Sequence, residues 1–265
     1  MYDRPFRTLP EELLLACTDP GTGVISRPEF FNRVLSGAVF AELELCGAIT
    51  IEKLRIVELR PVTLGEPVID SISEQFVSYI RRGQPNTGQT RLVGPRESLD
   101  ALRPELPRGV VSRLIAGARI GISAASTRLE LQGWISGWPG FRDIEPRYLE
   151  ALEARGVLSS HRRRVLGIVP RTTWSVVSPE DARRSAAGID EAVRAVVYGA
   201  GPGAPSPRAV CLVALVGAAG LTTRFYPGPE HHALRDRIEQ ITEGHPIGAA
   251  VSAAREADWK ARQAD

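Results

Sequence analysis

Between His161 and Val177 the chain reads HRRRVLGIVPRTTWSVV, and this is where residue types and spacing first imply chemistry. Arg162, Arg163, Arg164 and Arg171 fall there with no acid among them, in a chain whose formal net charge is only +2. Guanidinium is a planar, permanently charged fork that matches phosphate geometry. Val165, Leu166, Ile168, Val169 and Trp174 are interleaved with these arginines, and an indole beside arginine and aliphatic residues is the composition of an interfacial anchor. The chemistry implied is contact with an anionic surface rather than bond making. Near an anionic leaflet each exposed arginine contributes about 1 kcal/mol, so four give on the order of 4 kcal/mol before ordering costs. Insertion of apolar side chains would supplement this, because one weak signal seldom anchors a protein stably.

Other chemistry finds little support in the sequence. Gly199-Ala200-Gly201-Pro202-Gly203 has the glycines of a nucleotide loop but lacks the GK[ST] that holds phosphate and magnesium. His231 and His232 are adjacent, so on a helix they point different ways, and no HExxH or GxSxG occurs. Cys17, Cys46 and Cys211 are far apart and show no CxxC spacing, which fits a reducing cytoplasm better than a disulfide framework. The expectation is a protein without catalytic residues, metal or cofactor. Of its 33 basic residues only Lys53 and Lys260 are lysines, a bias that fits a GC-rich bacterial genome. The N-terminal apolar run is too short for a signal peptide, and the longest one, Ala209 to Leu221, is too short to span a bilayer. Any membrane contact is therefore expected from the surface, at the inner face of the membrane.

The elements that must hold these arginines are mostly helices. Thr8 and Glu11 have capping-box spacing ahead of the run Leu13 to Cys17. Phe31, Val34, Leu35, Ala38, Val39, Leu43 and Leu45 repeat at helical spacing until Gly47. Ile49 to Ile56 reads as a small hairpin around Glu52-Lys53, and Val68, Ile69, Ile72, Phe76, Tyr79 and Ile80 as another helix ending at Gly83. The stretch GQPNTGQTRLVGPRESL reads as a loop, Val110 to Ala118 as a helix, and 119–140 as an irregular insertion with a strand near Leu129 to Leu131. Trp134 and Trp138 are expected as core or loop anchors, and Trp259, on the last helix, is expected to pack. Asp143 is placed to cap a helix ending at Gly156, and the arginine-rich hairpin follows with Pro170-Arg171 as its turn. Ser178-Pro179-Glu180-Asp181 starts a helix to about Tyr198. The run RAVCLVALVGAAGL is apolar on every side and should be the central buried helix. Two amphipathic helices, Glu230 to Glu243 and Pro246 to Arg262, close the chain. The expected fold is mainly α: a single helical domain, residues 1–265, around a buried central helix set with short β-hairpins.

Four segments in order, LPEELLLACTDPGTG, LSGAVFAELELCGAITIE, YLEALEARGVL with its hairpin, and PRAVCLVALVGAAGL, resemble the Golgi phosphoprotein 3 family. The likeness runs from about Leu9 to about Val251. It implies a mostly helical fold around a buried helix set and a peripheral membrane protein. Eukaryotic members of that family bind phosphatidylinositol 4-phosphate through a tryptophan and several arginines, beside an apolar hairpin that touches the bilayer or another subunit. By that resemblance one pocket arginine falls on Arg142, while the other pocket positions fall on Glu145, Ser36 and a site near Arg27. Arg27, Arg33, Arg142 and Arg147 are then the expected anion-binding set, and Glu145 must pair with Arg142 or Arg147 if it is not to repel phosphate.

Two other readings compete. The hairpin can serve a homo-oligomer or a protein partner, since apolar hairpin residues suit interfaces as well as membranes. A helix followed by a basic hairpin also looks like a winged helix, but Ile144 to Arg155 carries Glu145, Glu150 and Glu153 against Arg147 and Arg155, so nucleic acid is not expected as a partner.

Overall fold

A computed structural model describes residues 7–83, 120–121, 130–165, 169–200 and 203–264. The described elements are α1 (Leu9–Ala16), α2 (Phe31–Leu45), β1 (Ile49–Glu52), β2 (Arg55–Leu59), α3 (Pro67–Gly83), β3 (Ile120–Gly121), α4 (Leu131–Gly137), α5 (Ile144–Ala154), β4 (Leu158–Val165), β5 (Val169–Val176), α6 (Pro179–Tyr198), α7 (Pro207–Ala218), α8 (Thr222–Phe225), α9 (His232–Gly244) and α10 (Pro246–Ala264). The fold is mainly α, with two small antiparallel sheets.

Local signals set most boundaries. Thr8 N–H donates to the Glu11 carboxylate at 3.1 Å, the reciprocal half of the capping box that starts α1. Ser178 accepts from Glu180 N–H at the start of α6, with Pro179 in its first turn. Gly47 and Gly156 follow α2 and α5 with φ of 70° and 72°, a conformation glycine adopts without the Cβ penalty. The β1–β2 turn is made by Lys53 and Leu54, both at positive φ as a two-residue hairpin turn demands.

The core lies between α2 and α7. Val34, Leu35, Ala38, Val39 and Leu43 on α2 are buried, as are Cys211 through Val216 on α7. Helix α7 packs against α2, α6, α9 and α10, which is why its sequence is apolar all round. A Cβ at Gly37 would run into Val251 and come within 3.4 Å of Ile247 and 3.5 Å of Leu215, so this glycine lets α2 approach α10 and α7 closely. The buried apolar side chains form one cluster extending from Leu9 to Ala254.

Several expectations need correction. The stretch near Leu131 is not a strand: Leu131 opens α4, burying Leu131, Trp134 and Ile135, and its N–H donates to Leu54 O at 2.7 Å. A seven-residue helix containing Gly133 and Gly137 is too short to show a period in sequence. It is held by tertiary contacts, the edge-to-face rings of Phe76 on Trp134 and Trp138 at 5.1 and 5.2 Å. Ile120–Gly121 pairs with β2 as a third strand. Asp143 precedes α5 without a side-chain cap bond, and Tyr79 is exposed. The expected loop GQPNTGQTRLVGPRESL beyond Gly83, the helix from Val110 to Ala118 and Leu129 lie outside the described residues.

Candidate functional site

The arginine-rich segment forms a hairpin of two eight-residue strands. Leu158 pairs with Val176, Ser160 with Trp174, Arg162 with Thr172, Arg163 with Arg171, Arg164 with Pro170 and Val165 with Val169. This register corrects the expected turn, because Pro170 and Arg171 sit inside β5 and the chain has already reversed before Val169. Proline is tolerated there because a two-stranded ribbon has open edges on which a missing N–H breaks no ladder. Leu166 and Ile168 lie outside the described residues.

Among the described residues, the ribbon is tied to the domain at its base. Helix α5 ends at Gly156, and Val157 N–H donates to Leu152 O at 2.9 Å, directing the chain into β4. Residues 23–25 lie along β5 through an isolated bridge: Val24 bridges Ser175, Ile25 N–H donates to Trp174 O at 2.8 Å and Val176 N–H to Gly23 O at 3.0 Å. Beyond Trp174, among the described residues, the two strands pair only with each other. Strand alternation places Leu158, Trp174 and Val176 on one face. That face meets the core: Leu158 is buried and Trp174 and Val176 pack against the apolar cluster. The opposite face carries His161 and Thr173. Trp174 is therefore a half-buried foot of the hairpin and not the free interfacial anchor expected from its neighbours. Exposed Arg162 follows His161, whose ring nitrogen Nε2 lies 3.0 Å from Ser175 Oγ.

The expected anion set is divided by the fold. Glu145 pairs with Arg27, not with Arg142 or Arg147, because residues 23–27 run from the hairpin base past the start of α5. Arg33 is enclosed: Nε and Nη2 donate to the Asp258 carboxylate at 2.7 and 3.3 Å, and Nη1 reaches Ser136 O at 2.9 Å and Ile135 O at 3.3 Å. It caps the last carbonyls of α4 and has no nitrogen turned to an incoming anion. Ser36 Oγ donates to Asn32 O at 2.8 Å and is buried. Arg142 is exposed and Arg147 half-buried, and neither side chain forms an ion pair among the described residues. Two of four expected cations are thus neutralised internally, and the two that remain share the N-terminal turn of α5 with Asp143 and Glu145.

Residues 9–257 match the family model described as Golgi phosphoprotein 3 (GPP34). The chain belongs to that family. No curated protein matches it. The four segments that carry the resemblance lie within the matched range, and in this family member they build α1, α2 with β1, α5 with the start of β4, and α7.

The remaining candidates for chemistry are absorbed by the structure. Burial pushes the thiols of Cys17, Cys46 and Cys211 up to about 12, so they are protonated at neutral pH and poor nucleophiles. Cys211 Sγ lies 3.5 Å from His245 Nε2, but His245 Nδ1 accepts from Gly248 N–H at 3.4 Å. That contact leaves the ring proton on Nε2, facing the sulfur, so the imidazole has no lone pair to take the thiol proton. His231 and His232 bond to Pro227 O and Asp236 at the surface. Among the described residues no group of three His, Cys, Asp or Glu side chains is arranged to hold a metal ion, and no helix is long and apolar enough to cross a membrane.

Sequence reasoning also missed a polar cluster beneath α1. Arg208 reaches Glu42 at 3.1 Å, Glu12 at 2.8 Å and Arg7 O at 2.7 Å, while Arg7 pairs with Asp181 and Arg155 with buried Glu11. Burial raises the Glu12 carboxyl above its ordinary value, opposed by Arg208 and reinforced by Glu42. The partners lie 144 to 201 residues apart in sequence, so no local pattern announces them.

Proposed function

We propose that this Golgi phosphoprotein 3 family member is a peripheral membrane-binding protein that docks on anionic bilayer surfaces, at the cytoplasmic leaflet, through the β4–β5 hairpin. The family relationship supports a lipid- or protein-binding role, and the family is not one known for enzymatic activity. The observation that carries the finer reading is the register of the hairpin, in which Arg163 lies directly across from Arg171 with Arg162 and Arg164 on either side. Like charges directly opposed across a ribbon are destabilising. The sequence has no acid between Glu153 and Glu180, and the Glu153 carboxylate is engaged by Ser160 N–H at 3.1 Å at the hairpin base. An external anionic surface removes this repulsion and adds about 1 kcal/mol per arginine.

Headgroup selectivity is a separate matter. With Arg27 held by Glu145 and Arg33 by Asp258, Arg142 and Arg147 favour diffuse attraction to lipid phosphates over enclosure of a phosphoinositide. Helix α5 is a poor nucleic-acid recognition helix, since four of its positions are buried and Arg155 pairs with Glu11. The open edge of β4 favours a second reading, pairing with another copy, although two such edges would align their arginines.

Co-sedimentation with vesicles tests the proposal. Binding is expected to require anionic lipid, to fall as salt is added, and to drop when Arg162, Arg163 and Arg164 are replaced by serine. Equal sedimentation with neutral and anionic vesicles, or none with either, refutes it. A solution mass that falls when the hairpin is shortened would favour self-association.

A further inference from the structure

Phe30 is the residue before α2, and its backbone lies in the left-handed region at φ 56°, ψ 31°. Among the described residues the other non-glycine residues at positive φ are Lys53 and Leu54, whose hairpin turn demands it. A bulky aromatic residue is disfavoured there, so the surrounding structure must enforce the conformation. What that conformation secures is a ring at the surface. Phe30 meets Trp259 of α10 edge-on, with centroids 5.5 Å apart at 77°, and the Arg262 guanidinium lies 5.0 Å over Phe30 and 5.9 Å from Trp259. Glu29 steadies the group: its carboxylate accepts from Arg262 at 2.8 Å and its carbonyl from Arg255 at 3.2 Å. Trp134 and Trp138 are buried, whereas Trp259 remains 41% exposed with the Arg262 side chain 57% exposed beside it.

A short stretch of chain links this platform to the hairpin base. Ile25 is bonded to Trp174 at the hairpin base, and the chain then passes through exposed Ser26, Arg27 and Glu29 to Phe30, a span of at most about 17 Å. We propose that Phe30, Trp259 and Arg262 form a second membrane contact, seated in the headgroup region of the same anionic bilayer. The inference rests on the hairpin reading. An indole and a phenyl ring held at the surface beneath the Arg262 guanidinium, itself paired with Glu29, present aromatic apolar area, the composition of an interfacial belt. The hairpin arginines supply an electrostatic signal, and the platform supplies the apolar one that stable anchoring needs besides charge.

The test uses the full chain and vesicles of phosphatidylcholine with phosphatidylglycerol, with and without brominated phosphatidylcholine as a contact quencher of tryptophan. Wild-type fluorescence is expected to be quenched on binding, and Trp259→Phe to retain binding while losing most of the quenching. Trp259→Ala is expected to weaken partitioning about tenfold, the effect of withholding on the order of 60 Å² of apolar surface from the bilayer. Its salt dependence should be unchanged, because the hairpin charges remain. Wild-type binding with quenching that survives in Trp259→Phe, or with undiminished partitioning of Trp259→Ala, overturns the platform alone. Absence of wild-type binding overturns both the platform and the hairpin reading.

Discussion

Replacing Arg163 by glutamate separates folding from membrane contact, because the register makes the two respond in opposite directions. Arg163 faces Arg171 across the ribbon, so Arg163→Glu converts a like-charged cross-strand pair into an opposite one. Such exchanges contribute about 0.5–1 kcal/mol. For a chain of 265 residues that raises Tm by roughly 1–3 °C if unfolding is cooperative. The same change removes one positive charge from the ribbon proposed to meet the membrane and adds a negative one. At about 1 kcal/mol per charge, vesicle affinity should fall by about 2 kcal/mol, close to thirtyfold. Arg163→Ser should lose about half that free energy with little change in Tm. Thermal unfolding followed by circular dichroism and partitioning into phosphatidylglycerol-containing vesicles at low salt give the two readouts. If affinity falls together with Tm, the loss reflects damaged folding and the reasoning fails; if affinity is unchanged in Arg163→Glu, the hairpin is not the membrane contact.

Other outcomes follow from particular contacts. Glu145→Gln releases Arg27 and leaves three cations near the start of α5, so binding to vesicles bearing a phosphomonoester headgroup should rise several-fold over matched phosphatidylglycerol vesicles; no change would mean that Arg27 is not available even when released. Gly37→Ala drives a methyl group into Val251 at the α2–α10 crossing and should destabilise the fold by about 1–2 kcal/mol by urea unfolding, despite the better helix propensity of alanine. The pH dependence of stability isolates Glu12, whose folded-state value is raised. The native state then holds this proton more tightly than the unfolded chain, so the contribution of Glu12 to stability falls as pH rises from the ordinary 4.5 through the raised value. Glu12→Gln should remove that fall from the urea midpoints, and identical pH slopes in both proteins would exclude the assignment.

Much of the fold is written locally. Thr8 with Glu11, Ser178 with Pro179, and the glycines after α2 and α5 set helix ends through bonds that reach a few residues, and these were legible. The apolar run of α7 announced a helix surrounded on all sides, and the arginine-rich hairpin was placed correctly after α5. Helix α4 escaped because its stability comes from rings on α3 and not from its own short pattern.

The candidate site was legible as composition but not as availability. Whether an arginine is free is settled by what the fold brings against it: Glu145 reaches Arg27 across 118 residues, and Asp258 reaches Arg33 across 225. The position of Trp174 was decided in the same way, since strand alternation set beside the buried Leu158 turns it inward. Sequence determined that this protein has helices with defined ends, a buried central helix and a positively charged hairpin, because periodicity, caps and charge are properties of neighbours along the chain. Tertiary structure decided which cations remain open, where the hairpin turns, and that Phe30 and Trp259 share one surface, because Coulomb pairing and ring contact depend on distance in space.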